Sequence, residues 1–368
     1  MKQLQVKPTI YEYKTFGDFA KEFDLGPNDL ILTNEYIYNP TISKYDVKCK
    51  TIFQEKYGMG EPSDVMVNGI LEEMAKMDCK RIVAVGGGTI IDIAKILAVG
   101  GGYTDVNKMY DDMANLKKKF DLFIVPTTCG TGSEVTNIAI VNRTKLGTKQ
   151  GLVSEEMYAS YAVLISEFMS SLPYGVFATS SIDALIHAVE SYLSPKATSF
   201  TEMFSVEAIK DILSGYVEVV KNQEARKELG GKFLKASNYA GIAFGNAGCA
   251  AVHAMSYALG GKYHVAHGES NYQFFMSVLR TYEQKAPNGK IADLKKLLSD
   301  ILGGDGFDAL EKLLEGILPK KRMSDYGATQ EDIEPFAKST VDNQQRLLGN
   351  NSVPLSLEDI QAIFQSRL

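Results

Sequence analysis

The stretch of this chain that most restricts its fold is short. The apolar run Arg81–Val85 meets Gly86-Gly87-Gly88-Thr89 and passes directly into a second apolar-periodic run, Ile90–Val99. A buried strand, a glycine turn and a helix in immediate succession form the repeating unit of a parallel α/β sheet. Glycines let the backbone approach a ligand closely, and the first turn of the helix offers N–H groups with a partial positive charge. That is anion-binding chemistry, suited to a dinucleotide pyrophosphate. The segment is neither GxGxxG nor a P-loop ending in Gly-Lys-Ser/Thr. Taken alone, it reads equally well as a tight turn with no ligand.

The neighbouring segments keep the same rhythm. Leu30–Thr33 and Leu122–Pro126 read as further buried strands. Ser63 can cap a helix whose apolar positions Met66, Ile70, Leu71, Met74 and Met77 recur at helical spacing. A second polar loop, Thr127 to Glu134, follows the strand ending at Pro126; its hydroxyls and flexible backbone suit hydrogen bonding to a nucleotide, and a turn with a helix N-cap at Thr131 or Ser133 is the alternative. Both loops fall at carboxyl ends of expected strands, where open α/β sheets bind ligands. From Leu172 onward helical patterns dominate, at Ile182–Leu193, Ser205–Val220, Lys232–Ala243, Ile291–Leu302 and Leu357–Phe364. The expectation is an α/β domain with a parallel sheet over residues 1–170 and an all-helical domain over residues 171–368. A length of 368 residues suits two cores.

Composition removes several functions. A formal net charge of −6 argues against nucleic acid and anionic membranes as partners. Cys49, Cys79, Cys129 and Cys249 are scattered without a CxxC pair, as in reduced cytoplasmic proteins. No signal peptide and no membrane span is expected.

Histidine is scarce: His187, His253, His264 and His267 are all the chain has. Asp183 and His187 are four apart in a helical run, so both project from one face. His253 falls in an apparent helical stretch, Gly241–Ala258, which Gly260 and Gly261 are expected to end, delivering His264 and His267 from a turn. One carboxylate with imidazoles suits zinc, iron or another first-row divalent ion. With an open coordination position such an ion acts as a Lewis acid. Each histidine singly reads more simply as a hydrogen-bonded core or surface residue, so spacing alone leaves the metal reading open.

Several segments resemble one family. Gly86 through Lys95, GGGTIIDIAK, is similar to the GGGSxxDxAK segment of iron-containing alcohol dehydrogenases. Pro126–Thr136, PTTCGTGSEVT, resembles the family's PTTxGTGSExT, and Asp183–Ser194, DALIHAVESYLS, its DAxxHAxExYxS. His253-Ala254-Met255 and His267-Gly268 fall where the family has its later ligands, and Asn350–Leu368 resembles its C-terminus. The resemblance implies Asp183, His187, His253 and His267 as ligands of a divalent metal, iron(II) or zinc. It implies pyrophosphate contacts from Gly87, Gly88 and Thr89, with Asp92 of the same segment counted in the cofactor site. Thr127, Thr128 and Ser133 are implied nucleotide contacts, and Lys149 is implied to lie along the cofactor. The implied reaction is hydride transfer between NAD(H) and a small alcohol or aldehyde. The implied fold is a dinucleotide-binding α/β domain followed by a helical metal-binding domain, with the active site between them, and the implied assembly is a homo-oligomer, expected as a dimer.

Three positions depart from the pattern. Tyr257 stands where the family usually has a histidine four residues after the third ligand. A phenol, with an ordinary pKa of about 10, is a poor base near neutrality. His264 is the alternative proton carrier, so His267, His264 and Tyr257 are the catalytic candidates. Asn34 stands where many relatives have an aspartate that accepts from a ribose hydroxyl and repels a 2′-phosphate. Glu35 beside it offers a replacement charge, and NAD is expected over NADP. Ser166 replaces an aspartate before a helix, which an N-cap tolerates.

The block Val252–Phe275, with Tyr257, Gly268-Glu269 and Asn271-Tyr272, is most similar to the 4-hydroxybutyrate dehydrogenase branch. That similarity implies 4-hydroxybutyrate and succinate semialdehyde as the substrate pair. Another primary alcohol or polyol is the alternative substrate, and a non-catalytic NAD- and metal-binding protein is the alternative of another class. Lys262, between two ligands in sequence, is a candidate for the substrate carboxylate, set against a solvated lysine after a turn.

Overall fold

Six strands pair into one all-parallel sheet: β1 Thr9–Tyr13, β2 Asp29–Thr33, β3 Lys50–Phe53, β4 Arg81–Gly86, β5 Asp121–Pro126 and β8 Tyr161–Ile165. Their order is β1-β8-β5-β4-β2-β3. Leu30–Leu32, Ile82–Val85, Leu122–Val125 and Ala162–Ile165 are buried without interruption, as expected of strands covered on both faces. The covering helices are α1 Phe16–Glu22, α2 Glu35–Ile37, α3 Asp64–Met74, α4 Gly88–Val99, α5 Val106–Asp111 and α6 Glu167–Ser170. The computed structural model that carries these elements describes residues 2–368.

The expected strand–turn–helix unit is β4, the turn at Gly87, and α4. Ser63 caps α3, its hydroxyl accepting from Met66 N at 3.2 Å, and Met77 lies beyond the end of that helix. Ser166 takes the N-cap position of α6, but its side chain makes no capping bond. A separate antiparallel hairpin, β6 Ile138–Arg143 and β7 Thr148–Val153, carries Lys149. It is pinned by Asp64, whose carboxylate accepts from Thr144 N and Oγ1, and by the Tyr110 hydroxyl, which donates to Gln150 O at 2.7 Å.

Contacts divide the chain into two units: this one, Val6–Leu172, and a second formed by residues 2–5 with Pro173–Leu368. Among the described residues the second unit is entirely helical: α7 Tyr174–Leu193, α8 Ser199–Lys221, α9 Ala225–Glu228, α10 Gly230–Ala247, α11 Ala251–Tyr263 and α12 His267–Lys285. After these come α13 Lys290–Leu302, α14 Gly306–Ile317, α15 Ile333–Asn343, α16 Gln345–Leu348 and α17 Leu357–Ser366. Buried hydroxyls tie α7 to α8, with Tyr216 donating to Ser181 Oγ at 2.7 Å and Ser191 meeting Ser205 at 2.9 Å. No helix among the described residues is long and apolar enough to cross a membrane.

Two helix boundaries differ from expectation. The stretch Gly241–Ala258 is two helices, α10 and α11, interrupted at Gly248, Cys249 and Ala250. Gly248 adopts φ +82°, a conformation that favours glycine and ends α10. Conversely, Gly260 and Gly261 do not end α11, which continues to Tyr263. An interior glycine costs only about 1 kcal/mol, so packing overrides it. The break falls instead at His264, at φ +55°.

Candidate active site

Three helices of the second unit bring one carboxylate and three imidazoles together. Asp183 and His187 lie on one face of α7, His253 comes from the first turn of α11, and His267 is the first residue of α12. One potential ligand atom from each lies within 4.8 Å of the others. His253 Nε2 is 3.0 Å from His187 Nε2 and 3.7 Å from Asp183 Oδ1, and His267 Nε2 is 3.8 Å from Asp183 Oδ1. Ligand atoms around a small divalent ion at bonds of about 2.0–2.2 Å stand roughly 3.3 Å apart, so the cluster is sized for one ion.

The packing that makes the convergence possible is visible at Gly268. A Cβ there would stand 2.2 Å from Thr179 O of α7, so only glycine lets the start of α12 press against that helix. Phe244 of α10 stacks on His187, with ring centroids 4.2 Å apart. Asp183, His187 and His253 are buried, whereas the His267 side chain is 38% exposed and marks the accessible side.

Protonation suits a metal centre. Burial would raise the Asp183 carboxyl, but His187, His267 and His253 outweigh that and hold it well below the usual range. Glu190, one turn beyond His187, accepts from Ala250 N at 2.9 Å and Val252 N at 2.7 Å, and its carboxylate lies 2.6 Å from His253 Nδ1. A proton on Nδ1 leaves the Nε2 lone pair directed at the cluster. Asn271, one turn into α12, donates to Asp183 Oδ1 at 2.7 Å and lies 3.2 Å from His267 Nε2. These donors fit a divalent first-row ion.

Glu190 and Asn271 were not among the site residues named from sequence. Glu190 could have been found, because Asp183, His187 and Glu190 follow the i, i+4, i+7 spacing of one helical face. Asn271 stands in the block that carries the branch resemblance, four residues after His267, with no role attached to it there.

Tyr257 lies one turn after His253, its ring centroid 6.3 Å from that of His267. His264 is exposed at the end of α11 and is not one of the four clustered residues. Lys262 lies within α11 and does not follow a turn; its ammonium pairs with the buried carboxylate of Asp332.

In the first unit, the loops after β2, β4 and β5 lie side by side at the carboxyl end of the sheet. Thr33 Oγ1 donates to Val85 O at 2.7 Å, and Thr127 N donates to Gly86 O at 3.0 Å. A side chain at Gly87 would meet Thr128. Gly87 caps α4 with no side chain of its own, so the first-turn N–H groups of Gly88 and Thr89 face outward with the positive end of the helix dipole. The Thr89 hydroxyl donates to Gly60 O at 3.1 Å. Lys149 is ion-paired with Glu61. This cradle of backbone donors, with no side chain at Gly87 or Gly88 and with Thr128 and Thr131 beside it, fits a pyrophosphate.

Asp92 and Ser133 are placed differently from the loop backbone. Lys95, fully buried, donates to Ser133 Oγ at 2.6 Å, Thr136 Oγ1 at 2.9 Å and Ile138 O at 2.9 Å. Ser133 in turn donates to Asp92 Oδ1 at 2.8 Å, and Ile140 N donates to Asp92 Oδ2 at 2.9 Å. The polar atoms of Asp92 and Ser133 are therefore engaged inside the protein, tying α4 to the second loop and β6. Burial pushes the Lys95 ammonium down to about 8, against the opposing pull of Asp92 and Glu134.

Comparison with known proteins gives the class. The family described as iron-containing alcohol dehydrogenase matches residues 10–166, and the C-terminal part of the Fe-containing alcohol dehydrogenase family matches residues 177–368. The chain belongs to the iron-containing alcohol dehydrogenase family. It is 50% identical to a 4-hydroxybutyrate dehydrogenase of Clostridium kluyveri over 365 residues, covering 98% of each chain. It is 33% identical to long-chain-alcohol dehydrogenase 1 of Geobacillus thermodenitrificans, covering 92% of this chain and 88% of the other. The crystal structure of sulfoacetaldehyde reductase from Bifidobacterium kashiwanohense in complex with NAD+ shares the fold, with a TM-score of 0.86 at 22% identity, covering 100% of this chain and 99% of that one.

Proposed function

We propose that this protein is a metal-requiring, NAD-dependent dehydrogenase that interconverts 4-hydroxybutyrate and succinate semialdehyde. The observation that carries the reading is the convergence of Asp183, His187, His253 and His267 from three helices. The substrate pair is supported by the 50% identity, over nearly the full length, to a 4-hydroxybutyrate dehydrogenase. NAD is supported by the bare helix N-terminus of α4 and by the fold shared with an NAD+ complex.

A divalent ion, iron(II) first and zinc second, supplies Lewis acidity toward a substrate oxygen, and a nicotinamide exchanges the hydride. The protein's own residues do the rest. Asp183, His187, His253 and His267 hold the ion, and Glu190 fixes the His253 tautomer. Gly87, Gly88 and Thr89 bind the pyrophosphate through backbone donors, with Thr127 and Thr128 beside them. Lys149, now paired with Glu61, turns to the cofactor. Tyr257 donates a hydrogen bond toward the substrate beside His267. A cytoplasmic location suits the free cysteines, three of them buried, and assembly as a homodimer belongs to the same proposal.

A substrate panel tests the specificity. With NAD and iron-loaded enzyme, kcat/KM for 4-hydroxybutyrate is expected to exceed that for butan-1-ol and propane-1,3-diol by at least about tenfold, as a site built for a polar group rejects analogues lacking it. Equal values would overturn the substrate assignment and leave the alcohol dehydrogenase reading standing.

A further inference from the structure

The position after β2 reads the adenosine ribose in many dinucleotide-binding sheets, through an acidic side chain that accepts from the hydroxyls and repels a 2′-phosphate. Here that position is Asn34, which carries no charge. The structure supplies a carboxylate at the same place from the neighbouring strand. Beyond β3, Glu55 accepts from Asn34 Nδ2 at 2.8 Å through Oε2 and from Glu35 N at 2.6 Å through Oε1.

The orientations are fixed by a chain of amides. Gln54 donates through Nε2 to Gly58 O at 2.8 Å, so its Oε1 faces Asn34 and accepts from Nδ2 at 3.1 Å. Asn34 thereby commits both amide hydrogens, to Gln54 and Glu55, and presents its oxygen, an acceptor, as aspartate would. Glu55 keeps acceptor capacity too, because an ionised carboxylate has about four lone-pair sites and two are used here. The Glu35 side chain is exposed on the first turn of α2, whereas Glu55 is half-buried and held at two points.

We infer that Glu55, positioned by Asn34 and the Glu35 N–H, is the residue that selects NAD over NADP in this protein. It accepts from the ribose hydroxyls of NAD and meets a 2′-phosphate with like charge. This rests on the NAD reading above and assigns its specificity to a residue outside the strand-end position.

The test is direct binding, by the fluorescence of NADH and NADPH titrated with metal-loaded protein. The wild type binds NADH more tightly. Glu55→Gln, and Glu55→Ser as a second variant without a competing amide donor, narrow the ratio of the two Kd values by roughly tenfold or more, since like-charge juxtaposition is what they remove. Glu55→Asp and Glu35→Gln keep the wild-type preference. Equal affinity of the wild type for both dinucleotides would overturn the assignment, as would an unchanged ratio in both Glu55 variants or a shift caused by Glu35→Gln. If the wild type bound neither dinucleotide, the NAD reading itself would fall, and the assignment with it.

Discussion

Glu190 shows how much a single buried carboxylate organises. It accepts two backbone N–H groups at the start of α11, Ala250 and Val252, and faces His253 Nδ1. The negative charge at a helix N-terminus is favourable in itself, and the bond to the imidazole sets which nitrogen is left to coordinate. Glu190→Gln can keep one acceptor but loses the charge. Affinity for cobalt(II) or zinc(II), measured by competition with a chelating dye, is expected to fall about 10–100-fold, as for other residues that orient metal-bound histidines. Unchanged affinity would show that Glu190 serves only the end of α11. Asp183 and the three clustered histidines, His187, His253 and His267, are legible in the sequence through the scarcity of histidine and the helical spacing of Asp183 and His187. Glu190 is legible in the same spacing, at i+7 from Asp183. The role of Asn271 is not legible, because it depends on where α12 packs against α7, a distance no local pattern encodes.

At the level of elements, the sequence announced β2, β4 and β5 through their unbroken apolar runs and the glycine turn through its composition. It misplaced the ends of α10 and α11 because a glycine signals a break only when the tertiary structure uses it. Gly248 sits at positive φ against Asn350, whereas Gly260, close to Ser270 and Val265, and the exposed Gly261 both continue α11. Asp92 and Ser133 illustrate a related limit, since a motif preserves a residue without saying whether it touches the ligand or the scaffold. Here both engage in the Lys95 network. Lys95→Met is expected to release the second loop and raise the Kd for NADH on the order of tenfold, through lost preorganisation. It also has a pH signature. The folded Lys95 titrates at about 8, below its ordinary 10.5, so between these values the unfolded chain holds the extra proton. The contribution of this lysine to stability therefore rises with pH across that window. Urea unfolding of wild type and Lys95→Met at pH 7.5 and 10 would reveal the difference in slope, and identical slopes with unchanged NADH affinity would dismiss the network as a loop anchor.

For the whole molecule, the two-part organisation follows from a change in pattern near residue 170, from apolar runs at strand length to helical periodicity. The described contacts divide the chain after Leu172, with residues 2–5 joining the helical unit, a detail that no periodicity reports. The sheet supplies backbone donors at its carboxyl end, and the helices supply a carboxylate and three imidazoles. Neither set accounts for hydride transfer alone, and the proposed reaction needs both metal and dinucleotide. The direct measurement is NADH oxidation with succinate semialdehyde, comparing protein purified anaerobically and loaded with iron(II) against the same protein stripped of metal. Turnover is expected in the loaded protein, with a rate at least roughly 100-fold lower in the stripped one, the scale expected when a Lewis acid is removed. Equal rates in the two, or no turnover with iron verified as bound, would contradict it.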